Sequence, residues 1–484
     1  MSDYSKDMYR QIVELIERNE ALQATIKEQS ERIENLEKLV SKQEEQKQEM
    51  ERKINRLQEE ISRLKSRNDN NSSNTSNPTS TDQKGKKPNK YNGRQKTGKR
   101  PGGQTGHDGK TLTKEEAEEL IASGKVKHSV KIIGDSKSGS YRTQYVVDAR
   151  LETEIIEYRI YDNADYAGSS SSDVVYGSNL KALIVTLYGV GVVSISRIRE
   201  ILHSLTSGIL SISQGTIYDI CRRLSKLAGP SLNQIEKRIM DGEVAYTDAT
   251  VVTINGKIGY IRNVSNADAV RYYPMEDKKQ ESLEKLYLLA KFAGIWVHDH
   301  ETTLYHFGVD HGECNVHLIR YLLKNTEDCK NSWSGKMRDL LLAMNVRREA
   351  LKAAGQEVFP SEEIDRYFHT YDEIIRLGRT ENEKTSPKWA KKDEKALLNR
   401  LEKFKKNHLL FLKRMDVAFS NNLSERDLRK CKNRQKMAGG FRNIQGCRMY
   451  ADILSIIETA KRKEMSVFNV MAEIFETGSP VFQF

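Results

Sequence analysis

Cysteine is scarce, with five in 484 residues. So small and odd a set gives no disulfide framework and fits a reducing compartment. No apolar run reaches membrane-spanning length, and the opening Met1-Ser-Asp-Tyr-Ser-Lys6 is not a signal peptide. The expectation is a soluble, cytoplasmic protein with no membrane partner. A Gly-x-Ser-x-Gly elbow, a P-loop and a paired Cys-x-x-Cys are missing too, which sets aside the usual forms of nucleophilic and nucleotide chemistry. Two absences are local. Residues 8–66 contain no glycine or proline, and residues 84–100 contain no acid.

Freedom from helix breakers lets one heptad frame run through the whole of 8–66. Ile12, Asn19, Ile26, Ile33, Val40, Lys47, Ile54 and Ile61 fall at a, and Leu15, Leu22, Gln29, Leu36, Gln43, Met50, Leu57 and Leu64 at d. Isoleucine at a with leucine at d favours a parallel dimer, and Asn19 at an a position sets its register. A homodimer or higher oligomer through a coiled coil over 1–66 is therefore expected. The net charge of +11 is modest but unevenly placed. Residues 67–112 begin with an Asn/Ser-rich stretch and become strongly basic. Lys84, Lys86, Lys87, Arg94, Lys99 and Arg100 read as an arm for DNA phosphates, with a plain solvated linker as the bland alternative.

Short alternating runs such as Val126-Lys-His-Ser-Val-Lys-Ile-Ile133 and Glu154-Ile-Ile-Glu-Tyr-Arg-Ile160 predict a small β module over 113–170. Residues 171–240 read as helical. Ser194 to Leu205 and the segment capped by Ser213 could form a helix-turn-helix, with Arg222 and Arg223 on the second helix, or pack as ordinary helices.

From Val244 the period changes to that of strands. Val244–Ile254 reaches Asn255-Gly256, a two-residue hairpin signal, and Lys257–Val264 answers it. Ala269–Tyr273 continues the meander, an amphipathic helix spans Gln280–Phe292, and Ile295-Trp-Val-His-Asp299 makes a fourth strand. Three meandering strands, a crossover helix and a parallel fourth strand suggest a ribonuclease-H-like sheet. If the fourth strand joins the first, Asp248 and Asp299 lie side by side. Aspartate is depleted in apolar strands, and a buried carboxylate is costly unless paired or bound to metal. Glu425 opens a later helix rich in Arg and Lys, with Asn421 or Asn422 as its cap. Its plain reading is a solvated helix with a Glu425–Arg429 pair. Two Asp and one Glu can instead hold two Mg²⁺ (or Mn²⁺) ions through oxygen alone. Cys314 and His317 offer too few ligands for a closed zinc site, so no zinc is expected. His317 and Arg320 could touch phosphate or orient a carboxylate, or Cys314 and His317 could simply be core. The core would then comprise 241–325 and 416–484. A charged helical insertion over 326–415, carrying Lys391-Lys392 and Lys403-Phe-Lys-Lys406, would lie between them.

Asp248-Ala-Thr, Val297-His-Asp299, Cys314-Asn-Val-His317-Leu-Ile-Arg320 and Asn421-Asn-Leu-Ser-Glu425-Arg-Asp-Leu-Arg429 occur in this order. With the coiled coil, the Asn/Ser-rich stretch and Gly102-Gly-Gln-Thr-Gly-His107, the chain resembles bacterial insertion sequence 66 family transposases. The resemblance implies an Asp-Asp-Glu transposase with Asp248, Asp299 and Glu425 as catalytic metal ligands and Cys314 and His317 as an accessory pair. Many members carry paired cysteines in the segment matching residues 125–165. This chain has none there, so the β module is expected to be metal-free.

The α/β fold expected is thus a ribonuclease-H-like catalytic core with a helical insertion, preceded by a coiled coil and small β and helical DNA-binding modules. The expected activity is cleavage of double-stranded element ends and transfer into target DNA, in a bacterial, nucleoid-associated setting with possible element-encoded helper proteins. Arg426, Arg429 and Lys436 would hold phosphates. The rival readings are an architectural or catalytically inactive coiled-coil DNA-binding protein, and a ribonuclease-H-like nuclease without strand transfer.

Overall fold

A computed structural model describes residues 3–70, 74, 112–133, 142–149, 151–159 and 174–484. In chain order the helices are α1 (Asp3–Asn68), α2 (Lys114–Ala122), α3 (Ser178–Gly189), α4 (Ile195–Leu205), α5 (Gln214–Leu227) and α6 (Gly229–Met240). Strands β1 (Val244–Ile254), β2 (Lys257–Ser265) and β3 (Val270–Met275) follow, then α7 (Gln280–Glu284), α8 (Tyr287–Lys291), β4 (Ile295–His298) and β5 (Asp310–Glu313). The remaining helices are α9 (Asn315–Cys329), α10 (Trp333–Ala353), α11 (Ser361–Lys384), α12 (Lys388–Lys403), α13 (Lys405–His408), α14 (Leu410–Lys413), α15 (Asn422–Ala438), α16 (Ile444–Arg462) and α17 (Val467–Thr477). No helix among the described residues is long and apolar enough to cross a membrane.

The chain divides into two compact units. One contains α1 with His317–Arg347 and Ser361–Lys405. Its core is formed by Trp333, Met337, Leu341, Tyr371, Leu398 and Leu401. The buried Glu394 carboxylate accepts from Trp333 Nε1, Asn331, Asn382 and Thr385, so its charge is met by donors on every side. Lys324 Nζ on α9 donates to Ser66 O and Oγ, which ties the end of α1 into this unit. The long helix matches the heptad pattern over 8–66, and its a and d side chains, such as Leu15, Ile26 and Leu57, are exposed.

The other unit is built on a five-stranded sheet of order β3-β2-β1-β4-β5. β1, β2 and β3 are antiparallel neighbours, and β4 and β5 run parallel to β1. Asn255 and Gly256 both have positive φ, as a type I′ hairpin turn requires, and set Ile254 opposite Lys257. Val244 pairs with Ile295 and Tyr246 with Val297, so the fourth strand does join the first. Buried residues of α16, including Ile453, Ile456 and Ile457, belong to the same core as Val264, Val270 and Tyr272.

Several expectations need correction. The predicted helix over Gln280–Phe292 is broken at Lys285-Leu286 into α7 and α8. β5, with the sequence Asp-His-Gly-Glu, was not anticipated; its residues have little strand preference and are held by pairing to β4. In place of the predicted β module, the described residues of 125–159 form no strands. Their alternating Val130, Ile132, Val146 and Ile155 are exposed, and a strand needs a neighbour to pair with. α2, begun by a capping box in which Thr113 and Glu116 satisfy each other's backbone, stands in that region instead.

Candidate active site

β1 carries Asp248 next to the fully buried Thr247. Asp248 N donates to Asn263 Oδ1 (3.0 Å) on β2, and Ala249 N donates to Asp248 Oδ1 (2.6 Å). Asp299 follows the last residue of β4 directly. Extending the parallel register of β1 and β4 by two residues brings Asp299 level with Asp248. Burial, reinforced by the charge of Asp299, pushes the Asp248 carboxyl up to about 6. The two acids therefore sense one another in a desolvated setting, with Lys278 and Arg262 as the opposing cations.

Glu425 lies in the first turn of α15, which is pinned to β1 at both ends. At one end Asn421 Nδ2 donates to Thr247 O (2.9 Å). At the other, Gln435 takes Thr253 N and donates to Thr253 Oγ1, both at 3.0 Å. From Asn421 to Gln435 the helix rises about 21 Å, and from Thr247 to Thr253 the strand spans about 20 Å. The helix therefore runs alongside β1, and Glu425, one turn from Asn421, comes level with Asp248 and Ala249. Beyond α15 the chain closes on β1 again. Gly440, at φ +146°, lies where a Cβ would meet Thr253 O at 2.7 Å. Phe441 N then donates to Thr253 O (2.8 Å).

The expected cap is corrected by this arrangement. Asn421 occupies the N-cap position of α15, but its side chain makes no cap hydrogen bond and reaches β1 instead. The Glu425–Arg429 pair of the bland reading is also not formed: among the described residues Arg426, Arg429 and Lys436 make no ion pair and stand on the exposed face of α15.

Cys314 is buried at the junction of β5 and α9. Its N donates to His298 O (3.0 Å), its Sγ accepts from Asn421 N (3.3 Å), and Sγ lies within 4.8 Å of the Asp299 carboxylate. His317 and Arg320 belong to the other unit, where His317 Nε2 lies 3.4 Å from Arg320 Nη1. Arg222 and Arg223 are exposed on α5, and Arg222 is held by Asp219 at 2.8 Å. α5 is capped by Ser213 as predicted, and α4 is capped by Ser194. Residues 206–213 join them, a longer connection than a tight helix-turn-helix uses. Lys84, Lys86, Lys87, Arg94, Lys99 and Arg100 lie outside the described residues.

Sequence reasoning overlooked the groups that hold these acids. Asn263 donates from Nδ2 to Asp427 (3.2 Å), which Arg462 engages through both carboxylate oxygens at 2.6 and 2.7 Å. Arg262 is fully buried between Thr247 and Glu301. Buried Glu313 accepts from Tyr305, His300 Nδ1 and His408 Nε2. A signal existed for the first two: Arg262-Asn263 interrupts the apolar run from Ile258 to Val264.

The mixed sheet thus carries Asp248 inside β1 and Asp299 just past β4, with an arginine- and lysine-rich helix alongside β1. The family model for the IS66 family of transposases matches residues 173–449, more than half of the chain. The chain belongs to this transposase family. No curated protein matches it at a significant level.

Proposed function

We propose that the chain is a metal-dependent DNA strand-cleaving and strand-transferring enzyme acting on the ends of its own mobile element, with Asp248, Asp299 and Glu425 as its catalytic carboxylates. The observation that carries this reading is the placement of Asp248 inside β1 and Asp299 just past the end of the neighbouring parallel β4, with Glu425 on a helix fastened along β1. The strand order, with three antiparallel strands followed by two parallel to the first, supports a ribonuclease-H-like core.

The donor set fits a hard divalent cation. It consists of carboxylate oxygens, and the mutual repulsion that raises Asp248 is what a nearby cation relieves. Asp248, Asp299 and Glu425 would hold two Mg²⁺ or Mn²⁺ ions, with Cys314 and His317 as accessory residues. When bound, such ions supply activation of the attacking oxygen and stabilisation of the leaving one. Arg426, Arg429 and Lys436 place three exposed cations on the Glu425 helix, where they hold the phosphates of the double helix in line with the carboxylates. Water opens the phosphodiester at the element end and leaves a 3′-hydroxyl. That hydroxyl then attacks a target phosphodiester, so one P–O bond forms as another breaks in each step.

Two further parts complete this reading. The exposed a and d stripe of α1 is covered by a second copy in a parallel coiled coil, with Asn19 setting the register. The basic arm from Lys84 to Arg100, with Arg222 and Arg223, adds phosphate contacts whose strength falls with salt.

The test is cleavage and joining of element-end DNA with Mg²⁺ by the wild-type chain and by Asp248→Asn. Nicked ends and joined products from the wild type, both lost in the variant, are expected. Undiminished cleavage by Asp248→Asn rejects the assignment, and hydrolysis without joined products leaves a nuclease.

A further inference from the structure

The two aspartates sit on separate segments, one inside β1 and one just past β4, and something must fix the gap between them. The backbone ladder does not reach that far: the pairing of β1 with β4 ends at Tyr246 and Val297. Beyond it the chain turns sharply, with His300 in the left-handed region at φ +52°, a conformation non-glycine residues hold only where their surroundings impose it.

One side chain spans the gap. Arg262 projects from β2 and is fully buried. Its Nη1 donates to Thr247 Oγ1 (3.1 Å), on the residue before Asp248. Its Nη2 donates to Glu301 Oε1 (2.6 Å), two residues beyond Asp299. Both ends are anchored further. Thr247 Oγ1 donates to Asn263 O (2.7 Å), and the Glu301 carboxylate lies 3.7 Å from Lys278 Nζ. A planar guanidinium donates in two fixed directions at once, which an ammonium cannot do. A buried arginine is also costly to keep, and Glu301 compensates its charge.

We infer that Arg262 is a positioning residue: through Thr247 and Glu301 it braces the Asp248 and Asp299 segments at the separation at which their carboxylates hold a divalent cation. This deepens the proposed function and rests on its assignment of Asp248 and Asp299 as the cation-binding pair. The brace touches neither carboxylate. It acts by removing freedom from the two segments, so that the site is preorganised before the cation arrives.

The experiment uses the full chain stripped of metal by chelator, titrated with Mn²⁺ alone in a calorimeter and melted separately without metal. Arg262→Lys keeps a cation but not the two-armed geometry. Thr247→Val cuts the brace at its other end with no change of charge and almost none of volume. Each is expected to weaken Mn²⁺ binding about tenfold, the size typical of residues that support metal ligands. The double variant is expected to be no weaker than the worse single, because both changes break one device. Arg262→Lys is also expected to raise the Mn²⁺ concentration needed for half-maximal end cleavage while leaving the rate at saturating Mn²⁺ within a fewfold of wild type. A purely structural role would instead lower the melting temperature in proportion and leave the affinity of the folded fraction unchanged. Wild-type affinity in both single variants, or losses that multiply in the double variant, overturns the inference. Asp248→Asn is the control for the parent reading: if the wild type takes up no Mn²⁺, or Asp248→Asn binds it as tightly as the wild type, the carboxylate assignment itself is wrong and the brace falls with it.

Discussion

Asp248, half-buried, and Asp427, buried, are two aspartates served by the same residue, Asn263, and they are treated in opposite ways. Asn263 gives its amide NH₂ to Asp427 and its carbonyl oxygen to the backbone of Asp248. Arg462 Nη2 also donates to both carboxylate oxygens of Asp427, while its Nη1 donates to Asn266 O and Ala269 O. Burial still raises the Asp427 carboxyl, but Arg462 opposes it at contact distance. Asp248 has no such partner. After burial the largest influence on its charge is another acid, Asp299, which the more weakly acting Lys278 and Arg262 oppose. A carboxylate matched by a guanidinium on the same spot is part of the framework. On the proposed reading, one set against a second carboxylate is where a divalent cation would sit.

The largest expected effect separates the two in activity. Asp248→Asn should lower Mg²⁺-dependent end cleavage by at least about a thousandfold, equivalent to about 4 kcal/mol of barrier. Asp427→Asn should leave cleavage per folded molecule within a fewfold of wild type. Gel assays normalised to the folded fraction check both, and equal losses would erase the distinction. The next effect is on stability. Arg462→Ala strands the Asp427 carboxylate in the interior and should cost about 3–5 kcal/mol in urea unfolding. Asp248→Asn should cost nothing and stabilise the metal-free chain near neutral pH.

That last statement has a definite pH window. The folded-state pKa of Asp248 is raised, to about 6 from 3.8, so the group favours the fold when protonated. Its contribution is fully present below about pH 4 and is lost as pH rises through about 6, a total of about 3 kcal/mol. Asp248→Asn should therefore gain on the wild type, in chelator, by that amount between pH 4 and pH 7.5. Saturating Mg²⁺ should reverse the gain for the wild type alone. A wild-type-minus-variant difference that is flat over this range would show that Asp248 is not under the strain assigned to it.

Much of this contrast is legible in the amino-acid sequence. Asp248 stood out because aspartate is rare within an apolar strand, and Asn255-Gly256 announced the hairpin that places it. The heptads announced α1 for the same reason: a long periodic pattern needs no tertiary context to be read. What could not be read was whatever depends on partners far along the chain. β5 is a strand only because β4 accepts it, and among the described residues the alternating segments of 125–159 form no strands. Asn421 looked like a helix cap because the local rule favours one, yet a carbonyl 174 positions earlier claims its amide. Arg262 and Asn263 were visible as polar residues in a strand, but their roles follow from Glu301 and Asp427, whose positions only the fold supplies.

The smallest expected effect concerns the cations that flank the same carboxylates. Arg462 is buried and spent on Asp427, whereas Arg426 and Arg429 stand on the exposed face of α15 and make no ion pair among the described residues. If they hold phosphates, Arg426→Ala and Arg429→Ala should each weaken binding of element-end and unrelated duplexes alike. Each should also reduce the slope of log affinity against log salt by about one. Protein stability should change by less than about 0.5 kcal/mol, since neither residue supports the fold. Fluorescence anisotropy across a salt series reads the slope directly. A variant that loses affinity for the element end alone, with an unchanged slope, would instead assign that arginine to base recognition. The line between fold-supporting and DNA-facing arginines would still hold, but the DNA-facing set would then read sequence as well as charge.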